Sequence, residues 1–205
     1  MSPRRYARTT RDQAFAATRS RIIEAAKELH AERGVIATSW QDVAQRARVS
    51  PVTVYRHFRS LRELIPACAL SFVDAVEPIS EEEARAAFAE LPSAVGRLER
   101  LIRDDCACYE RGRGWFHAAM READLVPELG EVVRSQQATL RTLIVVALEG
   151  SEPPAELVSA LVAVIDFPFW RSLIIAGIAE EATPGVMLTV AEALLSTYGA
   201  GNLST

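Results

Sequence analysis

The segment from Ser50 to Phe58 constrains this chain more than any other, because it joins a helix start signal to a row of polar side chains. Ser50 is a good N-cap, since its hydroxyl can accept a hydrogen bond from a backbone N–H in the first turn. Pro51 suits the first helical position. Val54 and Phe58 lie one turn apart and are predicted to face a core. The side chains left to face outward suit phosphates and base edges, and they are Thr53, Tyr55, Arg56 and His57.

A second short helix is predicted just before this one, which completes a helix-turn-helix. Ser39 is placed to cap a helix at residues 40–47, and residues 47–50 have the length of the tight turn in such motifs. The turn usually needs a left-handed residue, normally glycine, and Arg48 holds that position at a cost of roughly 1 kcal/mol. Upstream, residues 21–30 have the periodicity of an amphipathic helix, and Gly34 is a stop signal for it.

Residues 19–64 resemble the DNA-binding domain of the TetR family of transcriptional regulators. The resemblance extends over three helices and the start of a fourth, at Ile23, Ala25, Ala26, Leu29, Gly34, Thr38, Val43, Ala44, Val49, Ser50, Thr53, Val54, Tyr55, Phe58, Ser60 and Leu64. Family members often carry glycine at the position of Arg48, a small or basic residue at Pro51, and a phosphate-binding lysine at Leu61. The chain departs from the family there, although Arg59 and Arg62 flank Leu61 and can substitute for that lysine.

The predicted organisation follows the division of charge along the chain. We expect a flexible Arg-rich arm at residues 1–18, a helix-turn-helix DNA-binding domain at residues 19–62, and a helical ligand-binding and dimerisation domain at residues 63–205. Residues 1–62 hold 13 Lys+Arg and 5 Asp+Glu, a net charge of +8, and the remainder holds 10 and 22, a net of −12. A basic end on an acidic body suits a protein that directs one end at nucleic acid. The expected fold class is all-α throughout.

The predicted DNA contacts come from the arm and the helix-turn-helix. Arg4, Arg5 and Arg8 belong to an arm that either enters a minor groove or is a solvated, disordered terminus. The resemblance assigns phosphates to Thr38, Thr53, Tyr55 and Arg59. Val52, Arg56 and Arg48 are expected to contact base edges. Ser50 stands at the start of the helix that carries Val52 and Arg56, which we call the reading helix. For His57, donation to a phosphate is preferred over packing against the neighbouring helix, and the second alternative stays open.

The last two long helices of the body predict a homodimer. Residues 155–176 are apolar nearly all round, and a helix of that kind must be covered on more than one side. Exposed apolar patches of that size are unusual in a monomer, and a two-fold four-helix contact covers them. The candidate interface residues are Leu161, Ile165, Phe169, Met187, Val190, Leu194 and Tyr198. The alternative is that both helices belong to the core of a monomer.

The body is also predicted to bind a small molecule. The resemblance implies a ligand that releases the protein from a near-palindromic operator, with repression as the default. Aromatic and sulfur-containing side chains of the middle helices favour a small hydrophobic ligand. The candidates are Phe72, Cys106, Tyr109, Trp115, Phe116, His117, Met120, Phe167 and Trp170, and the alternative for each of them is an ordinary core position.

Several other classes of function have little support in the sequence. Cys106 and Cys108 diverge by roughly 200° on a helix, so both cannot bind one metal ion. We expect no cofactor, no metal and no disulfide. The stretch at residues 157–178 is interrupted by Asp166, Pro168 and Arg171, so a soluble cytoplasmic protein without a membrane partner is expected. Two alternative functions remain open. One is a protein-interaction adaptor without DNA binding, and the other, less favoured, is a helical enzyme using His117 with Glu122 or Asp124.

Overall fold

The computed structural model describes residues 3–73 and 77–198, with side chains from residue 12 onward. Within those ranges every regular element is helical, which confirms the predicted all-α class. The α-helices are α1 Pro3–Arg33, α2 Trp40–Arg46, α3 Pro51–His57, α4 Leu61–Ala69, α5 Glu81–Ala87, α6 Ala94–Glu122, α7 Pro127–Ala147, α8 Ala155–Ile165, α9 Phe167–Ile175 and α10 Thr183–Thr197, with a 3-10 turn at Glu180–Ala182.

The chain divides into two compact units. The first comprises Met1–Asp74 and Arg113–Val132, and the second comprises Ala75–Gly112 and Val133–Thr205. Each unit groups the residues that contact one another in space. This division does not test the domain boundaries expected after residues 18 and 62, which stay predictions. No single helix in the described ranges is long and apolar enough to cross a bilayer; α8 and α9 reach that length only together, with a 48° bend between them.

Helix α1 begins at Pro3, so the backbone expected as a flexible arm is helical instead. The segment at residues 4–33 contains no proline or glycine to interrupt the helix, and Pro3 takes a first-turn position that tolerates it. The side chains of Arg4, Arg5 and Arg8 lie outside the described ones, so their predicted minor-groove contacts stay predictions.

The caps predicted for the helix-turn-helix are confirmed. Ser39 Oγ accepts a hydrogen bond from the Asp42 N–H, and the Asp42 carboxylate accepts one in return from the Ser39 N–H at 2.9 Å, which forms a capping box. Ser50 Oγ accepts from the Thr53 N–H at 3.1 Å, with Pro51 next in the chain. These local bonds fix where α2 and α3 begin.

The first unit has its core between the inner faces of its helices. The Arg19 guanidinium lies 4.5 Å from the centre of the buried Phe58 ring, and the Arg46 guanidinium donates to both Glu28 and Glu32 at 2.9 Å. The fully buried aliphatic side chains include Ile22, Ala26, Val54, Leu64, Ile65 and Leu129. The predicted inward face of α3 is therefore confirmed at Val54 and Phe58.

Helix α6 continues through Gly112 and Gly114, although glycine is a residue type that often ends a helix. A glycine inside a helix costs only about 1 kcal/mol, which tertiary packing can offset. At Gly114 a Cβ would lie 2.7 Å from the Cβ of Ala31, so the missing side chain permits the close approach of α1. The glycine here serves packing and is not a stop signal.

In the second unit the expected helix at residues 155–176 is broken into α8 and α9. Asp166 has extended backbone and accepts a hydrogen bond from the Phe167 N–H at 2.7 Å, and Pro168 stands in the first turn of α9. An acidic N-cap followed by an early proline is a helix start signal that the apolar periodicity concealed. The core of this unit includes Leu157, Leu161, Ile165, Trp170, Met187 and Ala191.

Candidate nucleic-acid interface

The outward face of α3 carries the side chains predicted to meet DNA. Val52 is 77% exposed, Tyr55 is 50% exposed and Arg56 is exposed, whereas Thr53 is partly buried. Tyr55 stacks near the Trp40 ring of α2, with 5.4 Å between ring centroids. The two short helices therefore hold a tyrosine hydroxyl and an exposed guanidinium on one solvent-facing surface, where phosphates and base edges can reach them.

Four of the predicted DNA-contacting residues have local structural roles as well. Ser50 Oγ and Thr53 Oγ1 share a hydrogen bond at 2.9 Å. Thr38 Oγ1 donates to the Gly34 carbonyl at 2.7 Å. The Arg59 N–H donates to the Glu63 carboxylate at 2.9 Å. The Arg59 side chain itself is exposed, just before the start of α4. Their DNA contacts stay predictions.

Arg48 adopts the left-handed conformation that the turn was predicted to need, with φ +55°. Arg48→Gly is therefore expected to raise the free energy of unfolding by roughly 0.5–1 kcal/mol, because relief of the Cβ clash exceeds the added entropy of the unfolded chain. The same change is expected to weaken DNA binding, since it removes a cation. Urea unfolding and a DNA titration measure the two effects, and a loss of stability would contradict this account of the turn.

His57 is a correction to the predicted interface. Its side chain is 8% exposed, and its ring lies 4.0 Å from the Phe15 ring of α1. Burial, together with the charges of Arg56 and Arg19, lowers the pKa of His57, so a neutral imidazole is favoured. The alternative of packing against a neighbouring helix is therefore the observed one, because position 57 on α3 turns toward α1.

The predicted ligand residues lie in two groups, one in each unit. In the first unit Phe72 lies 5.7 Å from Trp115 and 5.9 Å from Phe116, and His117 and Met120 follow on the same helix, both partly buried. In the second unit the Tyr109 ring lies 5.5 Å from Phe167 and 5.9 Å from Trp170. Cys106 is buried there, with its sulfur 3.5 Å from that of Met187. Whether either group lines a ligand site stays a prediction.

A carboxyl group accompanies the second aromatic group. Asp105 precedes Tyr109 by one helical turn and is partly buried. Burial, with the nearby charges of Asp166 and Asp104, raises the pKa of Asp105 to about 8. Burial also raises the pKa of Cys106 to about 12, which makes this thiol a poor nucleophile. No group of three His, Cys, Asp or Glu side chains among the described ones is arranged to hold a metal ion.

Three of the residues predicted to lie in the dimer interface are buried within a single chain, so the prediction is wrong for them. Leu161, Ile165 and Met187 are 0% exposed and belong to the core of the second unit itself. The helices are apolar on most faces, so periodicity alone could not say which face turns inward. The other four side chains are at least partly exposed, at Phe169, Val190, Leu194 and Tyr198.

Glu122 has a contact that the sequence did not indicate. It was named with His117 and Asp124 for the enzyme alternative, yet its carboxylate accepts the backbone N–H groups of Val35 and Ile36, at 2.7 and 3.0 Å. These partners lie 87 and 86 residues away, beyond the range of any local pattern. The carboxylate thus holds a turn of the helix-turn-helix region.

Comparisons with known proteins show which proteins this chain is similar to in sequence. Residues 22–68 match the family described as bacterial regulatory proteins, tetR family. The transcriptional repressor Rv3405c of Mycobacterium tuberculosis is 42% identical over 64 residues, covering 31% of this chain and 32% of that protein. The transcriptional regulator UidR of Escherichia coli is 22% identical over 143 residues, covering 68% and 69%.

The fold is also similar to that of solved transcriptional regulators. A crystal structure of a transcriptional regulator from Rhodococcus sp. superposes with a TM-score of 0.63 at 20% identity, covering 87% of this chain and 96% of that one. The likeness in structure therefore extends beyond the helix-turn-helix to the helical body. Residues 22–68 therefore form a DNA-binding domain of the tetR family of bacterial regulatory proteins, and the chain as a whole shares the fold of a solved transcriptional regulator.

Proposed function

We propose that this regulator is a homodimeric repressor that binds a near-palindromic operator and is released by a small hydrophobic ligand. One observation carries the proposal: the exposed face of α3 presents Val52, Tyr55 and Arg56 together at the surface of a basic segment. In this docking Tyr55, Thr53, Thr38 and Arg59 bind phosphates, whereas Arg56 and Val52 reach base edges. Rv3405c is named as a repressor, which supports repression as the direction of regulation.

The proposed dimerisation rests on exposed apolar side chains of the second unit. Phe169, Val190 and Leu194 are partly exposed on α9 and α10. Ile175 at the end of α9 is 68% exposed, and Tyr198, the C-cap of α10, is 43% exposed. Covering such side chains with the same surface of a second copy removes apolar area from water on both copies. Two reading helices about 34 Å apart then match two half-sites one helical turn apart.

Ligand control is proposed through the two aromatic groups. A ligand lowers operator affinity only if it binds more tightly to the conformation that fits DNA poorly. The buried rings of Trp115, Phe116, Phe167 and Trp170 favour an apolar or planar molecule. A thermal-shift screen of such molecules, followed by operator release with each hit, tests this part, and hits that never release DNA would contradict it.

The DNA-binding part is tested by titrating duplexes from the regulator's own promoter region over a range of salt concentrations. The parent is expected to bind with a steep loss of affinity as salt rises, because phosphate contacts release counterions. Tyr55→Ala is expected to weaken binding on all sequences, whereas Arg56→Ala mainly relaxes the preference at one operator position, by about 1–3 kcal/mol.

Two outcomes would contradict the docking. The first is an affinity that stays constant from low to high salt. The second is parent-like binding by both variants. A duplex with a single half-site serves as the control for dimerisation, because a dimer is expected to lose most of its affinity on it. Equal affinity for one and two half-sites, together with a monomeric mass in solution, would exclude the homodimer.

A further inference from the structure

Glu122, the last residue of α6, places a buried carboxylate against the turn between α1 and α2. The residue is 5% exposed, and all of its contacts described here lie within the first unit. One oxygen, Oε2, accepts the Val35 and Ile36 N–H groups at 2.7 and 3.0 Å, and Oε1 accepts from the Arg121 guanidinium at 2.6 Å. A buried charge is tolerated when it is paired and hydrogen-bonded in this way.

Gly34 is shaped to this carboxylate. It has a φ of +92°, which favours glycine, and a Cβ there would lie 1.9 Å from Glu122 Oε1 and 2.7 Å from Glu122 Cδ. No side chain fits at residue 34 while the carboxylate stays in place. The two positions are therefore matched to each other, beyond the usual role of a glycine that ends a helix.

The turn held by Glu122 leads directly to a predicted phosphate contact. The Thr38 N–H donates to the Val35 carbonyl at 3.0 Å, and its hydroxyl donates to the Gly34 carbonyl at 2.7 Å. Ser39, the N-cap of α2, follows at once. A shift of residues 34–36 therefore moves Thr38 and the start of α2 with them.

We propose that Glu122 is a positioning residue for DNA binding, which acts through the turn at residues 34–38 to hold Thr38 and the first turn of α2 in register with the phosphate backbone. The proposal rests on the docking proposed above. It assigns a DNA-binding role to a residue 60 positions or more from the helix-turn-helix in sequence, and to a carboxylate that would itself repel phosphates if it lay at the DNA surface.

The sign of the effect separates this proposal from simple electrostatics. Removing one negative charge from a DNA-binding unit is expected to strengthen binding slightly, because repulsion of the phosphates falls. Loss of the positioning role is instead expected to weaken DNA binding. Glu122→Gln removes the charge with little change in shape, and its amide cannot accept both backbone N–H groups as strongly as a carboxylate does.

The experiment compares Glu122→Gln with Glu131→Gln, in which the same charge is removed from an exposed position of the same unit. Operator affinity and its salt dependence are measured for both variants and the parent, at a temperature where thermal unfolding shows all three to be folded. We expect about tenfold weaker binding for Glu122→Gln with an unchanged salt slope, since a displaced neutral hydroxyl weakens a phosphate contact without changing the number of counterions released. Glu131→Gln is expected to bind as the parent or slightly tighter.

A double-mutant cycle tests the route through Thr38. In a Thr38→Val background the further effect of Glu122→Gln is expected to shrink to about twofold or less, because the contact that Glu122 positions is already gone. A purely structural role of Glu122 would instead give losses that add. If Glu122→Gln fails to fold, Glu122→Asp replaces it, since the shorter side chain keeps the charge but draws back from the turn.

These experiments distinguish a failure of the positioning role from a failure of the proposed function. A parent that ignores duplex DNA at low salt overturns the docking itself. A parent that binds, with Glu122→Gln binding equally or more tightly, overturns only the positioning role. Additive losses in the Thr38→Val background would likewise exclude the route through the turn.

Discussion

Phe58→Ala is expected to lower the free energy of unfolding of the first unit by about 3–5 kcal/mol, the usual range for a buried phenylalanine. The ring is 0% exposed and closes the end of α3 against α1, with the Arg19 guanidinium 4.5 Å from its centre. Truncation removes both the buried area and this cation–π contact, and it leaves a cavity beside the reading helix. Operator affinity should fall with it, because α3 loses its inner anchor.

Chemical unfolding followed by circular dichroism measures this loss, and Leu125→Ala is the control. Leu125 lies in the same unit and is 70% exposed, so its truncation is expected to change stability by no more than about 0.5 kcal/mol. A Phe58→Ala variant as stable as the control would mean that the core described between α1 and α3 does not form in solution.

Stability is expected to fall as the pH drops from about 7 to 4, with His30 contributing about 3 kcal/mol of that loss. Burial lowers the pKa of His30 to about 4, against a weaker opposing effect of the Glu122 charge. The unfolded chain protonates this histidine below about pH 6.5, whereas the folded chain keeps it neutral. Its contribution is therefore present above pH 6.5 and is lost as the pH falls toward 4.

Comparison with His30→Gln isolates the effect. The variant cannot titrate at this position, so its stability is expected to depend less steeply on pH between 6.5 and 4 than that of the parent. His57 also has a lowered pKa, but it is present in both proteins and cancels in the difference. Parallel pH profiles for parent and variant would show that His30 is not held neutral in the folded state.

Local signals in the sequence were sufficient for the helix-turn-helix. The caps at Ser39 and Ser50, the proline at residue 51 and the left-handed Arg48 all act within four residues, so the same physics operates in a short peptide and in the folded chain. The start of α5 after Ser80, with its capping box to Glu83, was predictable for the same reason.

Signals that depend on neighbours were misleading. Glycine often ends a helix, yet α6 passes through Gly112 and Gly114, and Gly114 lets Ala31 approach. Leu161, Ile165 and Met187 looked like a dimer seam, yet they face inward. His57 looked like a phosphate ligand, yet it packs on Phe15. In each case the local chemistry was compatible with two environments.

The sequence by itself determined the all-α class, the family of the N-terminal segment and the outward face of the reading helix, because helix periodicity and capping are short-range properties. Only the tertiary structure decided which apolar faces are buried and which charged groups are held between elements. The contact of Glu122 with residues 35 and 36 depends on chain segments more than 80 residues apart meeting in space. Such a pairing is set by the packing of whole helices.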